Sequence, residues 1–148
     1  MRLQDIMNAD VQTIGIDMPA KAAWAKMSSK RIHHLVVLRQ GMVVGVVSDR
    51  DLGGRHGNAF REGKVVGDLM THYAVTAKPT TTVRQAANLL RGRSIGCLPV
   101  LNKGKLAGII TVSDLLELLG RGVEHPVTQT TRWTLRRRGP RQKAVSVP

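Results

Sequence analysis

Two stretches of this chain close on one phrase, Gly45-Val46-Val47-Ser48-Asp49-Arg50-Asp51 and Gly108-Ile109-Ile110-Thr111-Val112-Ser113-Asp114. Each is a glycine, an aliphatic pair, a hydroxyl, two variable positions and an aspartate. A strand entering a helix through such a phrase brings backbone N–H groups, a hydroxyl and a carboxylate to one point. The amides and hydroxyl suit a phosphate. The ionised carboxylate cannot stabilise a phosphate, but it accepts hydrogen bonds from two neighbouring hydroxyls, which is what a ribose offers. The combination points to a nucleoside phosphate. A second reading of the same residues stands beside it: Ser48-x-x-Asp51 and Thr111-x-x-Asp114 also fit the pattern that caps a helix start and needs no ligand. The glycine at the head of each phrase lets a ligand or another backbone approach closely.

The elements that must position these phrases are themselves repeated. Residues 5–52 align without a gap to residues 68–115, and 12 of those 48 pairs are identical, among them Asp5/Asp68, Met7/Met70, Gly45/Gly108 and Asp51/Asp114. Unrelated segments would share roughly three. Each copy opens on an apolar turn (Ile6-Met7; Leu69-Met70), followed by a brief strand-like stretch over 11–14 or 74–77. A helical spacing of apolar residues follows, Ala20, Ala23, Trp24 and Met27, matched by Val83, Ala86, Ala87 and Leu90. Then come two aliphatic runs separated by Gln40-Gly41 or Asn102-Lys103-Gly104, which is the grammar of a hairpin. Asp51-Leu52 and Asp114-Leu115 restart a helix, and Gly120 ends the second one.

The expected fold class is therefore α+β: two β-α-β-β-α units packed around a pseudo-twofold axis, with a basic C-terminal tail. The divisions fall at 1–55 and 66–120 for the repeats, 56–65 for the connector and 121–148 for the tail. The glycine-rich stretch 53–63 reads as flexible. At 148 residues the copies are halves of one body rather than two independent domains.

Composition excludes several classes. No apolar run approaches the ~18 residues that span a bilayer, and the start of the chain lacks a charged-then-apolar leader pattern. The lone Cys97 has no partner for an internal disulfide. A soluble cytoplasmic protein without membrane contact is expected. The net charge is +13, and the last 28 residues hold seven Arg or Lys against the one acid Glu124. The remaining body is basic as well, which favours anionic partners. His33 and His34, adjacent on a strand, point to opposite faces and complete no metal site; either can line a cleft. Cys97 reads as a small core residue. No nucleophile elbow, phosphate-binding Walker loop or dinucleotide glycine fingerprint is present, so catalysis is not expected.

With those residues in view, the chain resembles a pair of cystathionine-beta-synthase-type (CBS) domains forming one Bateman module. The likeness covers about residues 1–120. It is carried by Asp-Ile-Met and Asp-Leu-Met at the openings, by Ile95-Gly96-Cys97-Leu98-Pro99-Val100 before the hairpin, and by the doubled closing phrase. The resemblance implies regulatory binding of adenosine-containing ligands (AMP, ADP, ATP or S-adenosylmethionine) in clefts between the copies, and disc-like dimers of modules. It places Asp51 and Asp114 on ribose hydroxyls, Ser48 and Thr111 at the ribose-phosphate, and Arg50 and Ser113 within reach of phosphates. Ile95, Gly96, Cys97 and Pro99, with Thr76, would form one base pocket. Thr13 and the stretch Ile32 to Val36 would form the other. The usual Gly and Pro of that stretch are His33 and Val36 here, which leaves the first pocket altered or closed.

The expected function is a ligand-sensing regulatory module with no obligatory cofactor and no bound metal. It would act as a homodimer that passes the occupancy of an adenine nucleotide to a regulated protein. Two alternatives stand: a nucleic-acid-binding protein acting through Arg132-Trp133-Thr134-Leu135-Arg136-Arg137-Arg138, and a ligand-free dimerisation scaffold.

Overall fold

In each repeat an extended lead-in, a helix and a two-stranded hairpin follow one another, and the local chemistry explains each step. The structure, a computed structural model, describes residues 1–122. The tail strand expected over 127–135 and its arginine cluster lie outside the described residues. Residues 1–112 form one unit and the chain from Ser113 onward another.

The first repeat runs β1 (Thr13–Gly15), α1 (Ala20–Lys30), β2 (His34–Arg39) and β3 (Met42–Ser48). Next come two short helices, α2 (Asn58–Arg61) and α3 (Val66–Leu69), and the two-residue strand β4 (Thr71–His72). The second repeat continues with α4 (Val83–Arg93), β5 (Cys97–Asn102), β6 (Lys105–Thr111) and α5 (Val112–Gly120). α1 buries Ala20, Ala23 and Met27, the face its spacing predicts. Thr82 caps α4 through a reciprocal pair with Gln85. Both hairpins turn on two residues of positive φ, Gln40-Gly41 and Lys103-Gly104, which matches the right-handed twist of the strands they join.

One sheet has the order β1-β2-β3-β4, and β5-β6 form another. The second sheet repeats the pattern of the first with its edges reduced to single bridges, Ala77 beside Val100 and Asn8 beside Ile109. The bulge after Val37 recurs after Val100.

The two lead-ins exchange places. Thr71 pairs with Val46 of the first repeat, and its counterpart Asn8 pairs with Ile109 of the second. Main-chain bonds follow the same exchange: Leu3 N to Thr81 O matches Val66 N to Met18 O, and Gln4 N to Pro79 O matches Gly67 N to Ile16 O. Each repeat thus completes its sheet with chain from the other, which is what the pseudo-twofold requires. Val66 and Met70 from the second lead-in sit in the first repeat's core beside Leu35, Val37 and Val47. Val36, Cys97 and Ile109 pack together between the repeats.

Three local expectations are corrected. No helix restarts at Asp51-Leu52; the chain turns there instead, because Gly53 and Gly54 follow at φ +90° and +69°. The stretch 74–77 holds one bridge rather than a strand. The glycine-rich connector is folded, with α2 inside it and Arg61 only 1% exposed.

Candidate functional site

The first closing phrase leaves β3 and folds back on itself. Ser48 N donates to Asp51 Oδ2 at 2.9 Å, and Asp51 N donates to Ser48 Oγ at 3.1 Å. This is the reciprocal bonding of a cap, made here by a turn with no helix after it. Asp51 is half-buried, and its Oδ1 accepts no hydrogen bond from the described residues. A carboxylate has about four lone-pair sites, so closing the turn leaves most of its accepting capacity open.

The hairpin brings a second carboxylate alongside. Asp49 N donates to His33 O, and Asp49 Oδ2 lies 2.9 Å from His33 Nδ1. His33 stays exposed in this pair. His34 turns the other way, toward the second repeat, where a methyl built on Gly96 would come within 2.6 Å of its Nε2. Burial pushes the His34 imidazole below its ordinary value of 6.5, with the neighbouring His33 adding to the effect and Asp49 and Asp51 opposing it. Across the seam, burial and then the charge of Asp51 push the Cys97 thiol up to about 12. Asp51 of one repeat, and Gly96 and Cys97 of the other, therefore converge, with His34 between them.

A neutral His34 has a consequence for stability. The unfolded chain takes up the proton near pH 6.5. Between that pH and the lower folded value the unfolded state holds more protons, so stability falls as pH drops. The urea midpoint of the wild type should therefore decline between about pH 7 and pH 5 more steeply than that of His34→Gln. Parallel pH profiles would show that His34 does not resist protonation.

The other expected site residues are distributed unevenly. Ile32 and Ile95 are half-buried, whereas Val36, Cys97 and Pro99 are shut into the interior. Arg50 is exposed beside the phrase. Thr13 lies on β1 opposite Val36. Thr111 ends β6 opposite Cys97, and Ser113 and Asp114 lie in the first turn of α5. Two open cavities of about 590 and 310 Å³ both include Thr76, but neither reaches Asp51. Neither of these two cavities includes Ser48, Asp51, Thr111 or Asp114.

Glycine at the head of each phrase makes room for the exchanged lead-in that packs on it. A methyl at Gly45 would overlap Thr71 O, and one at Gly108 would come within 2.5 Å of Met7 Sδ. Spacing does not single out two residues that shape the phrase. Asp49 occupies one of its variable positions, and the hairpin sets it against His33. Arg61 donates to Leu52 O and Gly54 O, both at 2.8 Å, and to Asn58 Oδ1 at 3.0 Å, and it lies 4.0 Å over the Trp24 ring. It clamps the turn that follows Asp51. Among the described residues no group of three or more His, Cys, Asp or Glu could hold a metal, and no helix is long and apolar enough to cross a membrane.

Comparison with known proteins agrees with this architecture. The CBS domain family model matches residues 3–52 and again 66–121. A CBS domain-containing protein of Dictyostelium discoideum is 33% identical over 82% of this chain and 93% of its own length. The crystal structure of CBSX2 in complex with AMP superposes with a TM-score of 0.71 at 28% identity, covering 83% of this chain and 98% of that one. The inosine-5'-monophosphate dehydrogenase of Thermoplasma acidophilum is 30% identical over 78% of this chain, but the match takes in only 23% of that enzyme, so its reaction does not transfer with the likeness. The repeat, the exchanged lead-ins and these matches together make the chain a member of the CBS domain family, with two CBS repeats forming one pair.

Proposed function

We propose that the chain is a regulatory module that binds an adenosine-containing nucleotide and reports its presence to a partner protein. One observation carries the reading: the half-buried Asp51 keeps an uncommitted oxygen at the seam where His34, Gly96 and Cys97 meet. In this reading Asp51 Oδ1 accepts one ribose hydroxyl, and Oδ2, already holding Ser48 N, shares its second lone pair with the other. Arg50 and His33 supply positive or donating groups for the phosphate. The base rests on Ile32 and Ile95, since Val36 and Pro99 are enclosed. By sequence, the phrase from Thr111 through Ser113 to Asp114 is the second repeat's counterpart, and Thr13 and Thr76 flank the two base positions. The complex of CBSX2 with AMP supports AMP as the first ligand to test.

Calorimetric titration with AMP, ATP and S-adenosylmethionine tests the proposal. AMP should bind saturably, and Asp51→Asn should weaken it by at least about tenfold, the value of a charge-assisted hydrogen bond. Equal affinity in that variant would remove Asp51 from the site.

The proposal includes a homodimer. α5 carries Leu115, Leu116, Leu118 and Leu119 and buries none of them, with Leu116 62% and Leu119 57% exposed. An apolar helix face left in water is a surface for a second copy of the chain. Sedimentation equilibrium should give twice the 16.2 kDa chain mass, and Leu116→Glu should return the monomer. A monomeric wild type would rule the dimer out.

A further inference from the structure

We propose a separate phosphate-binding groove beside the β5–β6 turn, built by Lys78 and Lys103 and taking the phosphate groups of a small phosphorylated molecule. The cavity is about 590 Å³, and Gln4, Thr76, Lys78, Thr80, Asn102 and Lys103 supply its polar lining. That volume lies in the range of small-ligand sites. Its chemistry is one-sided: two ammonium groups, two hydroxyls and two amides, with no carboxylate in the lining. Neither lysine forms an ion pair among the described residues. Such a lining repels metal cations, and its apolar remainder is Ala77, Pro79 and Leu101. Phosphate oxygens can use every group in it.

The walls are held before any ligand arrives. Lys78 N donates to Thr81 Oγ1 and Thr81 N to Lys78 O, both at 3.0 Å, so the loop carrying Lys78 is a closed turn. The exchanged lead-in braces it: Gln4 N donates to Pro79 O at 3.0 Å, and the Arg2 guanidinium donates to Thr80 O. Lys103 projects from a two-residue turn at φ +50°. The two charges therefore come from separate elements whose backbones are held, so binding has to order only the two lysine side chains.

The internal repeat supplies a control within the molecule. At the equivalent places the first repeat has Gly15 for Lys78, Gln40 for Lys103, Asp17 for Thr80 and Arg39 for Asn102. Gly67 stands where the second groove has Gln4, and it is packed against Ile16. The fold alone thus does not produce this lining; the paired lysines belong to one repeat. The groove shares Thr76 with the second base position, but its lysine-bearing turns lie away from the ribose phrase along the sheet. It lies at the Asn102 end of β5, five residue steps or roughly 17 Å from Cys97.

Titration of the full chain with sodium tripolyphosphate, followed by calorimetry and by amide shifts in nuclear magnetic resonance, tests the groove. Saturable binding is expected, with the largest shifts at Gln4, Thr80 and Gly104. Lys78→Gln combined with Lys103→Gln should weaken it by about tenfold or more. Lys30→Gln combined with Arg93→Gln, which removes the same charge from exposed helix ends, should change it by less than about twofold. AMP affinity should be indifferent to the lysine pair and tripolyphosphate affinity indifferent to Asp51→Asn, so this proposal and the adenosine reading can fail independently. Absence of saturable binding, equal losses in the two double variants, or shifts centred on Asp51 would each overturn the groove.

Discussion

Gly45→Ala should destabilise the protein by about 3 kcal/mol or more, and Gly108→Ala by about 1 kcal/mol. The two glycines occupy equivalent places in the repeat, so the difference comes from what faces them. A methyl at Gly45 would overlap the carbonyl oxygen of Thr71 and touch Met70 Cε at 3.0 Å. Thr71 belongs to β4, whose pairing with Val46 holds the second lead-in on the first sheet. Making room means moving backbone, which breaks that pairing and disturbs the cluster where Val66 and Met70 pack. At Gly108 the nearest atoms are Met7 Sδ and Cγ, at 2.5 and 2.8 Å, and a thioether side chain can swing away. Asn8 O at 3.1 Å then needs only a small adjustment. Urea unfolding at fixed pH reads both values. Equal costs would mean that the exchanged lead-ins are held no more tightly on one side than on the other.

That asymmetry marks where sequence reasoning stops. The offset of 63 residues and the glycine at the head of each phrase were plain in the sequence, and so were the helix faces and the hairpins, because each is a local pattern. The exchange of lead-ins was not, since nothing in Asp5-Ile6-Met7 states which repeat it will cover. The Ser48 and Asp51 bonds follow from spacing alone. The meeting of His34 with Gly96 depends on how two repeats dock, and sequence periodicity carries no information about docking. The lost helix after Asp51 has a local cause in Gly53 and Gly54, whose positive φ values end regular structure. Four glycines between 53 and 63 predict a loose connector; the buried Arg61 reverses that, and no pattern in the sequence singles it out.

Arg61→Met should cost about 3 kcal/mol and weaken whatever Asp51 binds. The guanidinium sits almost fully inside the protein with no carboxylate of the described residues bonded to it; among those residues its partners are two main-chain carbonyls, the Asn58 amide and the Trp24 face. Methionine fills much of the space but leaves Leu52 O and Gly54 O without donors, each a loss of about 1–3 kcal/mol where water cannot replace the bond. Arg61→Lys keeps the charge, yet an ammonium on a flexible stem cannot match two carbonyls and a ring face at once, so about 2 kcal/mol is still lost. The fold and the site separate at this residue. Leu52 and Gly54 lie one and three residues after Asp51, so releasing them frees the turn that sets the carboxylate's direction. Trp24→Leu removes the stacking surface but leaves both carbonyl bonds, and should reduce stability with little change in AMP affinity. If Arg61→Lys binds AMP like the wild type while losing stability, the clamp serves folding alone and Asp51 is held by its bonds with Ser48. If affinity falls in Arg61→Lys but not in Trp24→Leu at matched stability, Arg61 is a positioning residue for the proposed nucleotide site.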